Sequence, residues 1–206
     1  HIGEPSWQDV NLSVVGASST CELVYNFIKA YKNETDFLTE EIAYPLYTGM
    51  LTDTGNFQFS STSPSVHIAA AHLMQAGVKP EIVHNHINNS FDLLRLKFFG
   101  FAISKKMKRI KDKNIAYMPL SMKEMQQYHI GTGGTEGLVN EPMKINDIEV
   151  SILLKEDKDK VKLSFRSKGD IDVSQFASTY FKGGGHKNAA GGVSFDSLQE
   201  TEEKLV

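Results

Sequence analysis

The sequence predicts an α/β protein in two parts, a mostly helical first part and an α+β second part. Three observations carry this. Apolar residues recur at helical spacing through the first half. Near residue 149 the pattern changes to two strand-like runs around a charged turn. A glycine-rich stretch over 183–192 then leads into a last strand.

The elements follow in order. Residues 11–15 read as a strand. Ser18, Ser19 and Thr20 offer a helix N-cap, with Glu22 in the first turn where a carboxylate suits the helix dipole. Leu23, Val24, Phe27, Ile28 and Tyr31 continue that helix. A second helix spans 40–50 and runs into the segment 51–57. A third spans 63–76, with Pro64 in its first turn and Gly77 as its stop. A fourth runs from Lys79 to about His86. Residues 91–113 carry Leu93, Leu94, Leu96, Phe98, Phe101, Ile103, Met107 and Ile110 and end in a basic run, which predicts one long linker helix between two domains. A strand over 114–120, a helix over 121–128 and a loop at 131–135 follow. Residues 149–154 and 160–166 predict a hairpin, 173–181 a helix, 183–186 a loop and 193–195 the last strand.

Composition narrows the class. The 206 residues hold 22 Lys+Arg against 25 Asp+Glu, a net charge of −3, which argues against coating nucleic acid by bulk charge. Hydrophobic residues make up 40%, enough for a packed core. No apolar run reaches the ~18–20 residues of a membrane helix, so no membrane partner is expected. The single cysteine, Cys21, excludes an intrachain disulfide and fits a cytoplasmic location. The first residue is a histidine rather than Met, which predicts a chain entered partway through.

Three motifs could carry chemistry. Gly183-Gly184-Gly185-His186, followed by Ala189-Ala190-Gly191-Gly192, allows the main chain to approach an anion closely. His186 could donate to a phosphate or assist proton transfer. Arg166, at the end of a predicted strand, could hold phosphate oxygens bidentately. Asp53, in Thr52-Asp53-Thr54-Gly55, is a carboxylate of the kind hard divalent cations take. Aspartic proteases share that tetrad's shape, but they need a second such triplet and a long all-β sequence, and neither is present. His67 and His72 lie five apart and His84 and His86 two apart, spacings that share no helical face well, so these four read as structural or solvent-exposed.

With these motifs in their order, the chain resembles the DHH phosphoesterase superfamily, in the RecJ-like branch with a DHH-associated C-terminal domain. The carrying residues are Ala17-Ser18-Ser19-Thr20, Asp53-Thr54-Gly55, Gly137-Leu138-Val139-Asn140, Ser164-Phe165-Arg166-Ser167-Lys168 and the 183–191 glycine motif. The resemblance is to the oligoribonuclease and pAp-phosphatase type, which also includes cyclic-dinucleotide phosphodiesterases. It implies the C-terminal part of a DHH-type α/β domain over 1–90, a linker helix over 91–113, and a smaller α+β DHH-associated domain with a mixed sheet over 114–206. It further implies Asp53 as a metal ligand and His1, as the second histidine of the naming triplet, as a catalytic residue on the substrate side. Arg166, Gly183, Gly184, Gly185 and His186 are implied to grip substrate. The implied cofactor is a pair of Mn²⁺ ions, with Mg²⁺ as the alternative, and the implied substrates are short oligonucleotides or nucleotide phosphates. A homodimer is implied through the larger domain. The family's other metal ligands, a His-x-x-x-Asp-x-Asp run and a bridging aspartate, do not occur in this sequence. Two other readings stand beside this one: an exopolyphosphatase-like enzyme, and a non-catalytic nucleotide- or RNA-binding module.

Overall fold

The computed structural model describes residues 12–14, 16–32, 38–89 and 91–206. The fold is mixed α/β and divides into two compact units, His1–Ser90 and Phe91–Val206.

The described part of the first unit is helical. Helix α1 (Thr20–Lys32) starts as the serines predict, with the Ser19 hydroxyl accepting from the Glu22 N–H at 3.0 Å and the Glu22 carboxylate accepting from the Ser18 N–H at 2.7 Å. Helices α2 (Glu40–Asp53), α3 (Pro64–Gln75) and α4 (Pro80–Asn88) follow. Ala43, Leu46, Tyr47, Met50 and Leu51 of α2 form the core with Tyr25, Ala69, Leu73 and Val83. The strand expected over 11–15 lies partly outside the described residues, and Leu12, Ser13 and Val14 adopt no regular structure.

The second unit is built on one six-stranded sheet: β1 (Lys108–Arg109), β2 (Ile115–Leu120), β3 (Val150–Glu156), β4 (Val161–Ser167), β5 (Gly184–His186) and β6 (Ala189–Ser194). Their spatial order is β1-β2-β3-β4-β6-β5. Only β2 and β3 run parallel; the other neighbours are antiparallel, which makes the sheet mixed. Alternation sorts the side chains onto two faces. Ile152, Leu154, Leu163 and Phe165 point to one face, where they pack with Val173, Ala177 and Phe181 of and beside α7 (Val173–Tyr180), and with Leu198 and Leu205 of α8 (Leu198–Leu205). Met118, Leu120 and Leu153 point to the other, beneath Phe98 and Phe99 of α5 (Leu93–Phe101), Met125 of α6 (Met122–Gln127) and Leu138 and Val139 of a 3₁₀ turn. On β4, β6 and β5 the residues of this second face, Ser164, Arg166, Ala189, Gly191, Gly184 and His186 among them, are half-buried or exposed.

Two expectations are corrected here. The long helix over 91–113 ends at Phe101, passes through a π turn at Ala102–Lys106, and gives way to β1. The Ser104 hydroxyl donates to the Gly100 carbonyl at 2.7 Å, and the Met107 N–H reaches back five residues to the Ala102 carbonyl at 3.0 Å, which loosens the last turn. The basic run is drawn into separate ion pairs: Lys106–Glu124 at 2.8 Å, Lys108–Glu202 at 2.6 Å and Arg109–Asp147 at 2.8 Å. The glycine stretch is likewise not a free loop. Gly184 to His186 form β5, and the last strand begins at Ala189 rather than Val193, because Lys187 and Asn188 close a tight hairpin between them.

Gly183 is required by packing: a Cβ there would collide with the Gly191 carbonyl. Gly183→Ala should therefore lower stability by about 1–3 kcal/mol, read as a drop in the urea midpoint. Glu124 closes a capping box with Ser121 and pairs with Lys106. Partial burial alone would raise its carboxyl, but the Lys106 and Ser121 hydrogen bonds override that and hold it below the usual carboxylate range. A depressed acid gives stability above its unfolded value, near ~4.3, and loses it as pH falls through the folded value. Glu124→Gln should be less stable than the parent at neutral pH, and the gap between their urea midpoints should close below about pH 4.

Candidate functional site

Residues directly opposite each other in neighbouring strands share a face. Ala116 lies opposite Ser151, Ser151 opposite Arg166, Arg166 opposite Ala189, and Ala189 opposite His186. The sheet thus sets Arg166 and His186 in one row on its open face, with only the methyl group of Ala189 between them.

Arg166 is held unusually. Its Nη1 donates to the carbonyl of its own neighbour Phe165 at 2.8 Å. Among the ion pairs of the described residues it has none, whereas Lys162 four residues earlier pairs with Asp157 at 2.7 Å. Burial pulls its guanidinium below the usual arginine value. A cation that is partly desolvated and lacks a carboxylate is stabilised by an incoming anion. Beside it in the row, Ser151 is fully buried and its hydroxyl has no partner among the described residues.

The His186 hairpin is pinned from outside the sheet. The Val173 N–H donates to the Lys187 carbonyl at 2.8 Å, and the Ser167 N–H to the Asn188 carbonyl at 3.1 Å. The Asn188 amide donates to the Ser167 hydroxyl at 2.9 Å and the Gly169 carbonyl at 3.0 Å. The Ser174 hydroxyl donates to the Gly185 carbonyl at 3.0 Å. Gly185 itself is needed because a Cβ would lie 2.6 Å from the Ala189 carbonyl oxygen.

In the first unit, Asp53 is the last residue of α2 and is exposed. A carboxylate there opposes the negative end of the helix dipole. The turn after it is fixed by the buried Thr54, whose hydroxyl donates to the Met50 carbonyl at 2.6 Å and accepts from the Phe57 N–H at 3.1 Å. Burial, and secondarily the Asp53 carboxylate, push the Cys21 thiol up. Asp53 suits one oxygen ligand of a hard cation. Among the described residues no group of three or more His, Cys, Asp or Glu side chains could hold a metal ion. His1 lies outside the described residues. The other histidines of this unit include His72, whose ring meets the Tyr25 hydroxyl at 2.5 Å, and His67, whose ring sits 5.4 Å from that of Phe57.

The second unit therefore gathers Arg166, His186 and the glycine strand, while Asp53 belongs to the first. Sequence reasoning passed over Ser151, and it quoted Ser164 and Gly191 as motif residues without a role. Only the pairing register puts them on the face of Arg166, and register is not visible in a single strand's residues.

Residues 112–205 match the DHHA1 domain family. The chain is 26% identical over 205 residues to a probable bifunctional oligoribonuclease and PAP phosphatase NrnA of Streptococcus mutans, covering 98% of this chain and 63% of that protein. It is 31% identical over 215 residues to the bifunctional oligoribonuclease and PAP phosphatase NrnA of Thermus thermophilus, covering 97% and 60%. An exopolyphosphatase-related protein of Bacteroides fragilis, solved by crystallography, superposes with a TM-score of 0.91 at 30% identity, over 100% of this chain and 60% of that one. The chain thus spans about three fifths of the length of these relatives.

A buried hydroxyl without a partner carries an uncompensated desolvation cost of about 1–3 kcal/mol. Ser151→Ala should therefore leave the thermal midpoint unchanged or raise it. A clear drop would mean that the hydroxyl is paired in solution.

Proposed function

This chain belongs to the DHH phosphoesterase superfamily and carries a DHH-associated domain, and from that premise we propose that the protein is a hydrolase of phosphodiester or phosphomonoester bonds in short oligonucleotides or nucleotide phosphates. The observation that supports this reading is Arg166, half-buried, without a carboxylate partner among the described residues, on the same open face as His186. Its guanidinium offers paired N–H donors in the geometry of two phosphate oxygens. His186, at the hairpin end one strand beyond Ala189, would donate to the same phosphate. The hairpin's hydrogen bonds to 167–174 hold that donor in place without cost at the moment of binding.

Asp53 fits one ligand position of the cofactor that goes with this activity, two Mn²⁺ or Mg²⁺ ions. When bound, such ions polarise the phosphoryl group and activate water. The contributions of this chain's second unit are substrate grip and orientation. His1 enters as the substrate-side histidine of the same scheme. A cytoplasmic location belongs to the proposal and rests on the single cysteine. Among the described residues no helix is long and apolar enough to cross a membrane. A homodimer remains part of the proposal through the resemblance alone.

A second reading, a polyphosphatase, is favoured by the Bacteroides fragilis structure. The two separate on substrate. With Mn²⁺, the whole protein should release mononucleotide from a dinucleotide, or phosphate from pAp, faster than phosphate from polyphosphate. The reverse ranking would favour the second reading, and tight pAp binding without hydrolysis would leave a binding module.

Arg166→Gln should weaken pAp binding by at least about tenfold, as expected for charge-assisted hydrogen bonds. Arg166→Lys should recover part of it, since the ammonium keeps the charge and loses the fork. Calorimetric titration at fixed salt would show this, and unchanged affinity in Arg166→Gln would remove the basis of the proposal.

A further inference from the structure

Serine at position 151 calls for a reason. It is fully buried on β3, and among the described residues its Oγ has no hydrogen-bond partner. Buried polar groups in folded proteins are paired with few exceptions. Alanine would fill nearly the same space and leave no hydroxyl desolvated. Stability alone therefore favours alanine here.

The register shows what the hydroxyl faces. Ser151 lies opposite Ala116 of β2 on one side and opposite Arg166 of β4 on the other. Ala116 brings a methyl group. Leu153, two residues along the same face, belongs to the apolar core beneath α5 and α6. Glu149, two residues the other way, is exposed and takes the Asn114 amide at 3.3 Å. Of these neighbours, Arg166 is the one with N–H donors to offer. Side chains directly opposite each other start about 5 Å apart at their Cβ atoms, well within the reach of an arginine.

Arg166 does not use this acceptor in the free protein. Its Nη1 donates to the Phe165 carbonyl at 2.8 Å, which engages one of the five N–H groups of a guanidinium. A phosphate held bidentately takes two more. The fork then faces the ligand only if a protein acceptor on its other side fixes its rotation.

We infer that Ser151 is a positioning residue for Arg166: its Oγ accepts from the guanidinium as the fork turns onto a bound phosphate. A hydroxyl suits this place better than a carboxylate. It accepts one hydrogen bond, brings no negative charge beside the phosphate, and leaves the cation uncompensated until the anion arrives. The unpaired hydroxyl of the free protein is thus paired in the complex. This inference rests on the proposed function, in which Arg166 grips phosphate, and adds to it a residue of β3.

The test is a double-mutant cycle in the full chain. Parent, Ser151→Ala, Arg166→Gln and the double variant are titrated calorimetrically with pAp at fixed salt, and their thermal midpoints are measured. Ser151→Ala should weaken pAp by about three- to tenfold, the range of one hydrogen bond to a charged group, while melting no lower than the parent. In the Arg166→Gln background the same change should alter affinity by less than about twofold, because the partner of the hydroxyl is gone. A merely structural role would give the same loss in both backgrounds. Unchanged affinity in Ser151→Ala, or an equal loss with and without Arg166, overturns the inference while the effect of Arg166→Gln still supports the functional reading. Arg166→Gln without effect on pAp is instead the failure of that reading. Should Ser151→Ala fold poorly, Ser151→Cys decides by the same criteria, since it keeps a polar atom of similar size but a weak acceptor.

Discussion

The register of β4 is the constraint on which the second unit depends. Phe165 and Arg166 are adjacent, and alternation sends them to opposite faces. Phe165 is fully buried in the core under α7, and its ring lies 5.7 Å from that of Phe181. A slip of one residue would put the guanidinium into that core and the phenyl ring onto the open face. Burying an unpaired charge there costs far more than any shift in strand contacts could return. Hydrophobic burial of Val161, Leu163 and Phe165 therefore fixes where Arg166 stands.

The same register carries the rest of the face. Ser151 comes opposite Arg166 because β3 and β4 are paired from Val150 with Ser167 to Glu156 with Val161. Ala189 comes opposite Arg166 because β6 pairs with the other edge of β4. The tight turn at Lys187 and Asn188 then returns the chain so that His186 meets Ala189. A glycine demanded by backbone proximity at 183, 185 and 192 lets β5, β6 and the Phe181 turn crowd together. The two glycines without such a demand are left on the open side.

Much of this was legible in the residues. The β3–β4 hairpin shows in its alternation around the charged turn, and the helices at 64–75 and 173–180 show in their caps and periods. Arg166 and the glycine motif stand out as residue types placed at element ends. What the sequence could not disclose is pairing. The apolar residues of 91–113 have helical spacing, but Met107 and Ile110 owe their positions to the π turn and to β1, which folds back on β2 in a hairpin. The ion pairs of the basic run could not be read from it because the partners, Glu124, Asp147 and Glu202, lie far along the chain. The glycine run looked like a loop for the same reason: β5 is a strand only because β6 lies beside it.

Arg166 also differs from its cationic neighbours in what holds it. Arg109, Lys162 and Lys187 of the same sheet and its hairpin each meet a carboxylate within 2.8 Å. These pairs are exposed and contribute little to stability. Arg166 is the more enclosed and, among the described residues, has a carbonyl in place of a carboxylate. A carboxylate at its side would stabilise the free protein and compete with any phosphate for the same donors. On the proposed reading, an anion bound there would supply part of the folding free energy. An anion that binds only the folded state stabilises that state in proportion to the logarithm of its concentration over its dissociation constant. On the proposed reading, ligand affinity and the stability of the β4–β6–β5 corner would therefore be linked through a single guanidinium that the strand register keeps out of the core.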